Sequence, residues 1–264
     1  MKVAVISAVP MCGKSTLIEI LGGVYSRSQG RDVVVLSSGD SSDIINMVTN
    51  FTKNEVLDNP YIIKSMVENS SGNNKDLLNY GIQAGDEHVY IYNVMDSVME
   101  QQDKEDFLIE AITKIPAGLS LIEICGDPYS EFNQRVYKEC DCMLVLTDCS
   151  QKGIKAYKNL IENFPNKILK MNKALILSRL DANVASDKKL SELLGVKINE
   201  FYKFPYNAVV GKQSLNGSLD KVIYNILVAD HEVVNLRMPM QELMEFMFNT
   251  PTRKIVRSID RWYK

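Results

Sequence analysis

The chain opens Met1-Lys2-Val3-Ala4-Val5-Ile6-Ser7 and continues as AVPMCGKST from Ala8 to Thr16. The first seven residues read as a buried strand. The next nine read as a tight loop that turns at Gly13-Lys14-Ser15 into a helix, with LIEIL continuing its apolar face. This is the ending of the phosphate-binding pattern GxxxxGK[ST], with Ala8 where the first glycine would stand. In such a loop successive backbone N–H groups cradle phosphate oxygens, and the helix N-terminus adds partial positive charge. On this reading Pro10, Met11, Cys12, Gly13, Lys14, Ser15 and Thr16 form the phosphate cradle. Lys14 would reach the β- and γ-phosphates, and the Ser15 hydroxyl would ligate Mg²⁺. ATP and Mg²⁺ are therefore the expected cofactors. Pro10 has no N–H to offer a phosphate, and Ala8 cannot take a positive φ as cheaply as glycine.

Working outward, short apolar runs alternate with helical patterns. Val33–Leu36, His88–Val94, Leu119–Ile124, Met143–Thr147 and Ala174–Leu177 read as strands, and helices are expected near Ser15–Gln29, Lys104–Ile115, Ser130–Glu139 and Lys152–Asn163. Segments from about Ile44 to Ile82 read as helical or irregular. Strand–helix alternation with near-continuous apolar strands predicts an α/β fold: a three-layer, mostly parallel sheet with helices on both faces, plus a C-terminal helical tail. The expected division is residues 1–235 as the sheet domain and 236–264 as a helical extension.

Composition narrows the class. The chain has 264 residues, 45% of them hydrophobic, enough for one large α/β domain. The net charge of −3 is spread along the chain, so nothing global calls for nucleic acid or a membrane. The five cysteines (Cys12, Cys125, Cys140, Cys142 and Cys149) contain no CxxC, and two histidines leave no zinc-site spacing. They read as buried free thiols in a reducing, cytoplasmic compartment. No run approaches 18 apolar residues, so no membrane span is expected.

In parallel sheets ligands sit beyond the carboxyl ends of the strands, so the polar clusters there are the candidate sites. After the second strand comes Ser37-Ser38-Gly39-Asp40. Asp40 reads either as a Mg²⁺-shell or water-positioning carboxylate, or, with Ser42, as a cap of the following helix. Leu119–Ile124 leads into Cys125-Gly126-Asp127-Pro128, where Asp127 reads as the acid that follows a Walker B strand or as part of a Gly-Asp-Pro turn, with Glu123 the other acid nearby. Ser178-Arg179-Leu180-Asp181 presents a guanidinium and a carboxylate at a strand end, which suits recognition of a base edge or else a surface salt bridge with a helix cap, and Phe204-Pro205-Tyr206-Asn207 later reads as a rigid turn after a short strand.

Taken in order, these elements resemble the deviant-Walker P-loop ATPases related to MinD and ParA, and among them the TadZ/CpaE type of pilus-localisation protein. The resemblance runs from Met1 to about Leu227. It rests on GKST, the Asp40 loop, ICGDP, ECDCMLVLTDCSQKGIKAYKNLI, ILSRLD and KFPYNAVVGKQSLNGSLDKVI. It implies a weak ATPase that dimerises around nucleotide, with Lys14, Asp40 and Asp127 in catalytic roles, Ser15 and Asp40 on the metal, Ser178, Arg179, Asp181, Pro205 and Tyr206 at the nucleotide base, and a protein partner that it positions or assembles. The alternative it leaves open is a catalytically degenerate scaffold of the same fold. The departures are specific. Val9 stands where the family carries a second lysine that reaches across the dimer. Pro10 and Met11 replace glycines, Ser38 replaces one of two paired acids, Cys125-Gly126 falls where the strand-end acid is expected, and Ser178 replaces an adenine-contacting asparagine.

In the tail, Ile255, Val256, Ile259, Trp262 and Tyr263 share one helical face. Arg253, Lys254, Arg257, Arg261 and Lys264 lie largely off it, against the single acid Asp260. Thr252–Lys264 resembles the membrane-targeting helix of MinD and suits an interfacial helix, with polar or membrane-associated localisation. Its apolar face would equally suit packing on its own domain or on a second subunit.

Overall fold

A computed structural model of the chain describes residues 1–39, 60–70, 75–83, 88–92, 99–180, 186–215 and 219–248. Strands β1 (Lys2–Ser7), β2 (Val33–Ser37), β3 (Ile82–Gln83), β4 (Val89–Tyr92), β5 (Leu119–Glu123), β6 (Cys142–Asp148), β7 (Asn172–Leu180) and β8 (Phe201–Pro205) form one sheet in the order β3-β4-β2-β5-β1-β6-β7-β8. Seven run parallel; β3 pairs antiparallel to β4 at the edge. Ile82–Gln83 falls within the stretch expected to be helical or irregular. Two residues held by one neighbouring strand leave no periodicity to read.

The central strands read as apolar runs because both faces are covered. In β1, Val3 and Val5 enter one core cluster while Ala4 and Ile6 enter the other, which is the period of two that a strand imposes. The first cluster lies beneath α1 (Lys14–Gln29), α8 (Ala208–Leu215), α9 (Leu219–Leu227) and α10 (Val234–Phe248). The second lies beneath α2 (Pro60–Asn69), α3 (Gln101–Lys114), α4 (Glu131–Lys138), α5 (Gln151–Glu162), α6 (Asn166–Leu169) and α7 (Asp187–Leu194). The expected three-layer α/β architecture is what forms.

Two helices depart in detail from their sequence reading. The final described helix starts at Val234 rather than at Pro239, and carries that proline inside it. Leu236, Met240, Leu243, Met244 and Met247 bury in the same cluster as β1 and α1, so this segment is part of the sheet's cover. At the other end of the chain, α1 begins directly at Lys14, without a side-chain cap, and stops where Gly30 turns left-handed (φ 59°) and donates its N–H to the Ser26 carbonyl at 2.8 Å. Glycine at this left-handed stop satisfies an orphan carbonyl without steric cost.

Strand β1 sits between β5 and β6. Chain order therefore reverses across it, and the crevice above its carboxyl end is where such sheets bind ligands.

Candidate functional site

The loop Ala8–Gly13 leaves the end of β1 with the Ala8 N–H bound to the Leu146 carbonyl of β6 at 2.8 Å. Ala8 and Pro10 do not take positive φ. That demand falls on Met11 (φ 57°) and Gly13 (φ 87°). A Cβ built on Gly13 would meet nothing within 4 Å, so the glycine is required by its backbone conformation and the space above it is open. Val9 and Cys12 turn inward and are buried, while Met11 stands 84% exposed at the loop apex. Burial pushes the Cys12 thiol above its usual range.

The helix that follows presents Lys14 and Ser15 to the end of β5. The Ser15 hydroxyl donates to Oε1 of Glu123 at 2.7 Å. Lys14 Nζ lies 3.5 Å from the same carboxylate oxygen, donates to the Ile124 carbonyl, and approaches Cys125 Sγ at 3.7 Å. Glu123 is only 4% exposed. Register explains the meeting: Glu123 pairs with Val5 of β1 on one side and Ser37 of β2 on the other. The last residue of β5 therefore stands beside the strand that feeds the loop. A buried carboxylate needs such partners, because desolvating an unpaired charge is costly.

Asp127 lies elsewhere. It is exposed, its Oδ1 accepts the Tyr129 N–H at 3.0 Å, and its carbonyl accepts from Asn133 Nδ2 at 2.8 Å. It closes the turn that leads into α4, and no contact joins it to Lys14 or Ser15 among the described residues. The turn reading of Gly-Asp-Pro is therefore the one its contacts match, Gly126 taking φ 68°. Glu123 was legible only as a second acid, because an acid inside an apolar strand looks like a core residue until register is known.

The loop after β2 is tied to the same corner. The Cys125 N–H donates to Ser38 Oγ at 2.8 Å, the Ser38 N–H reaches the Glu123 carbonyl at 2.8 Å, and Ser37 Oγ lies 3.5 Å from Cys125 Sγ. Gly39 is pressed so close that a Cβ there would sit 2.5 Å from Cys125 Cβ. Asp40, the next residue, lies outside the described residues.

The base-recognition positions are spread over two neighbouring strand ends. Ser178 is buried, with its hydroxyl turned back to the Thr147 carbonyl at 3.4 Å. Arg179 belongs to β7; its side chain and Asp181 lie outside the description. Pro205 ends β8, and Tyr206 is 64% exposed with its N–H on the Leu180 carbonyl at 3.0 Å. With strands about 4.8 Å apart, these ends stand two and three strands from β1, roughly 10–14 Å from the loop. Thr16 is half-buried in the first turn of α1.

The residues present fit a magnesium nucleotide. An uncapped helix N-terminus above an open glycine suits a phosphate. A serine hydroxyl and a carboxylate side by side are the hard oxygen donors that Mg²⁺ takes. No group of three or more His, Cys, Asp or Glu side chains that could hold a metal ion is found among the described residues. No described helix is long and apolar enough to cross a membrane.

Comparison with solved structures gives the same fold. A ParA family ATPase from Chlorobium tepidum TLS superposes with a TM-score of 0.67 at 13% identity, covering 90% of this chain and 98% of that one. The septum site-determining protein MinD complexed with Mg-ADP from Pyrococcus horikoshii OT3 gives 0.64 at 13%, covering 92% and 95%. A putative plasmid partition protein from Borrelia burgdorferi B31 bound to AMPPNP gives 0.64 at 15%, covering 94% and 98%. No protein-family model and no curated protein matches the sequence.

Proposed function

We propose that this chain, which has the fold of the ParA and MinD ATPases, binds ATP with Mg²⁺ through Lys14, Ser15 and Glu123. The observation that carries the reading is the 2.7 Å bond from Ser15 to Glu123 beside Lys14. It joins a serine and a lysine of the first turn of α1 to a strand-end carboxylate at the crevice of a parallel sheet. Bound Mg-nucleotide would supply a polarised γ-phosphoryl group. Lys14 would neutralise its charge, Ser15 would ligate the cation directly, and Glu123 would hold the cation's waters. The same corner ties Ser38 to Cys125, so the loop carrying Asp40 would respond to occupancy. Asp40 remains our candidate for positioning the attacking water and contacting the metal shell. Ser178, Arg179, Asp181, Pro205 and Tyr206 remain candidates for the base.

On this reading the chain is a weak, nucleotide-dependent dimeric switch in the cytoplasm. It would position or assemble a partner complex of the pilus, secretion or partition kind, which is the role suggested by the likeness to TadZ and CpaE. Neighbours of the same fold include MinD in complex with MinC and MinD with Mg-ADP, which supports a nucleotide-and-partner role. The test is a nucleotide-binding titration paired with sedimentation, with and without Mg-ATP. Saturable binding that Lys14→Ala abolishes, with a mass increase on Mg-ATP, is expected. Binding unaffected by Lys14→Ala would end the reading.

One observation favours a second reading, a scaffold that binds nucleotide without turning it over. Val9 is buried in the core where a lysine would have to reach a partner's phosphates. Single-turnover hydrolysis separates the two: phosphate release no faster than in Lys14→Ala selects the scaffold.

A further inference from the structure

Strand β7 starts at Asn172, but the first residue of β8, Phe201, pairs with Leu175. Residues 172–174 therefore run three positions past the start of β8 on that side, at the end of the sheet opposite the phosphate loop. A cavity of about 470 Å³ opens there. Tyr157 and Val196 wall it on one face of the sheet, Tyr202 and Phe246 on the other, and Met171 lies in the turn that enters β7. The Tyr202 and Phe246 rings are 5.9 Å apart and tilted. Its volume is in the range of a small-ligand site, large enough for an aromatic anchor.

Acids gather on its α10 side. Glu242 and Glu245 of α10 stand close enough to Tyr202 to hold its hydroxyl above the usual range, with burial the larger cause, while Glu200 in the lining is paired with Lys197 Nζ at 3.6 Å. Glu245 Oε1 is buried and has no hydrogen-bond partner among the described residues. The carboxyl is correspondingly pushed up, by burial first and by Glu242 second. Neither lysine of the lining bonds Glu245 among the described residues: Lys173 Nζ is bound to the Leu169 carbonyl at 2.6 Å, and Lys170 is exposed in the preceding turn. A desolvated carboxylate oxygen with no donor is costly, and a guanidinium is the donor best matched to it.

We propose that residues 249–264 of this same chain occupy the notch, with Trp262 as the aromatic anchor and an arginine of the segment on Glu245. Tether length allows it. Phe246 lines the cavity, and the described part of α10 ends two residues later. The four residues Asn249–Thr252 can span up to about 13 Å, more than the roughly 10–12 Å diameter of the helix they must round. Charge favours it, since the segment carries five cations against one acid. The apolar face formed by Ile255, Val256, Ile259, Trp262 and Tyr263 would cover Tyr202, Phe246 and Met171, and would leave the remaining cations in water.

Trp262 is the only tryptophan in the chain, so fluorescence of the intact protein reads this segment alone. The expected result is a blue-shifted emission protected from acrylamide, unchanged on about tenfold dilution and without lipid. Glu245→Lys and Met171→Glu should each shift emission to the red and remove the protection, while far-UV circular dichroism and the melting transition persist. Glu245→Gln should fall between. Solvent-like emission in the unaltered chain would overturn the proposal. So would a blue shift that neither notch variant moves, one that fades on dilution and so marks a second copy, or one that needs anionic vesicles and so marks a membrane.

Discussion

The Ser15 hydroxyl and the Glu123 carboxylate meet at 2.7 Å although 108 residues separate them in sequence. The bond forms because α1 starts directly at Lys14 and β5 ends at Glu123 on adjacent strands. Replacing Glu123 by Gln keeps the shape but removes a charge-assisted bond, a change of about 1.5–3 kcal/mol. Magnesium-dependent nucleotide affinity should fall by roughly tenfold to a hundredfold, with magnesium-free binding changed far less. Asp127→Asn should leave affinity within about twofold and lower stability by less than about 1 kcal/mol, through its turn contact. Isothermal titration of the two variants decides between the acids: a larger affinity loss for Asp127→Asn would reverse the assignment.

Gly39 and Cys125 make a second test of the same corner. A Cβ on Gly39 would lie 2.5 Å from Cys125 Cβ and 3.3 Å from its Sγ. Gly39→Ala should therefore destabilise the protein by about 1–3 kcal/mol, as overpacking does. Cys125→Gly removes the obstructing atoms, so the double variant should recover much of that loss. Urea melts of the four-member cycle measure the coupling, and strict additivity would show that the two loops are not in contact in solution.

These two corners also show what could be read before the fold was known. The loop Ala8–Thr16, the parallel sheet and its two covered faces follow from local pattern: apolar runs of strand length, a glycine–lysine turn and 3.6-residue periodicity. Glu123 did not follow, because its role depends on register between strands far apart in sequence, and an acid four residues into an apolar run has no local mark. Val9 is the reverse case. By the family likeness its type marks a missing lysine, but only the fold shows that it is a core residue. The start of α10 was hidden by Pro239, which reads as a helix start and here lies within one.

Alkaline pH should destabilise the fold in a defined window. Burial raises the Cys149 thiol to about 11, with Asp148 adding to it, and raises Cys142 and Tyr157 to about 12. These groups stay protonated in the folded chain while the unfolded chain begins to lose protons near pH 9–10. The folded state then binds more protons, so stability is flat below about pH 8.5 and falls as pH rises toward 11, by up to about 1.4 kcal/mol per pH unit per group. Urea midpoints across pH 7–10.5 measure this. A midpoint that holds steady to pH 10.5 would mean that these thiols and the phenol are open to solvent.

Met11 and Val9 separate loop strain from lost chemistry. Met11 holds φ 57° with its side chain in solvent, a conformation that costs a non-glycine residue about 1 kcal/mol. Met11→Gly should be neutral to slightly stabilising, and Met11→Val should lose about 1–2 kcal/mol because a β-branched residue fits the left-handed region worst. Val9→Lys restores the residue type that the family likeness leads one to expect, but it places the ammonium where Val9 is buried with Ile18 and Leu21 of α1. Lost burial alone costs about 1.5–3 kcal/mol, so the variant should melt lower. It should not gain hydrolysis, because the loop backbone around position 9 directs that side chain into the core. Thermal melts and phosphate release at matched protein concentration give both readouts. A Val9→Lys variant that kept its melting point and turned over ATP faster than the parent would show instead that position 9 can swing outward, and that the chain is one substitution from an active ATPase.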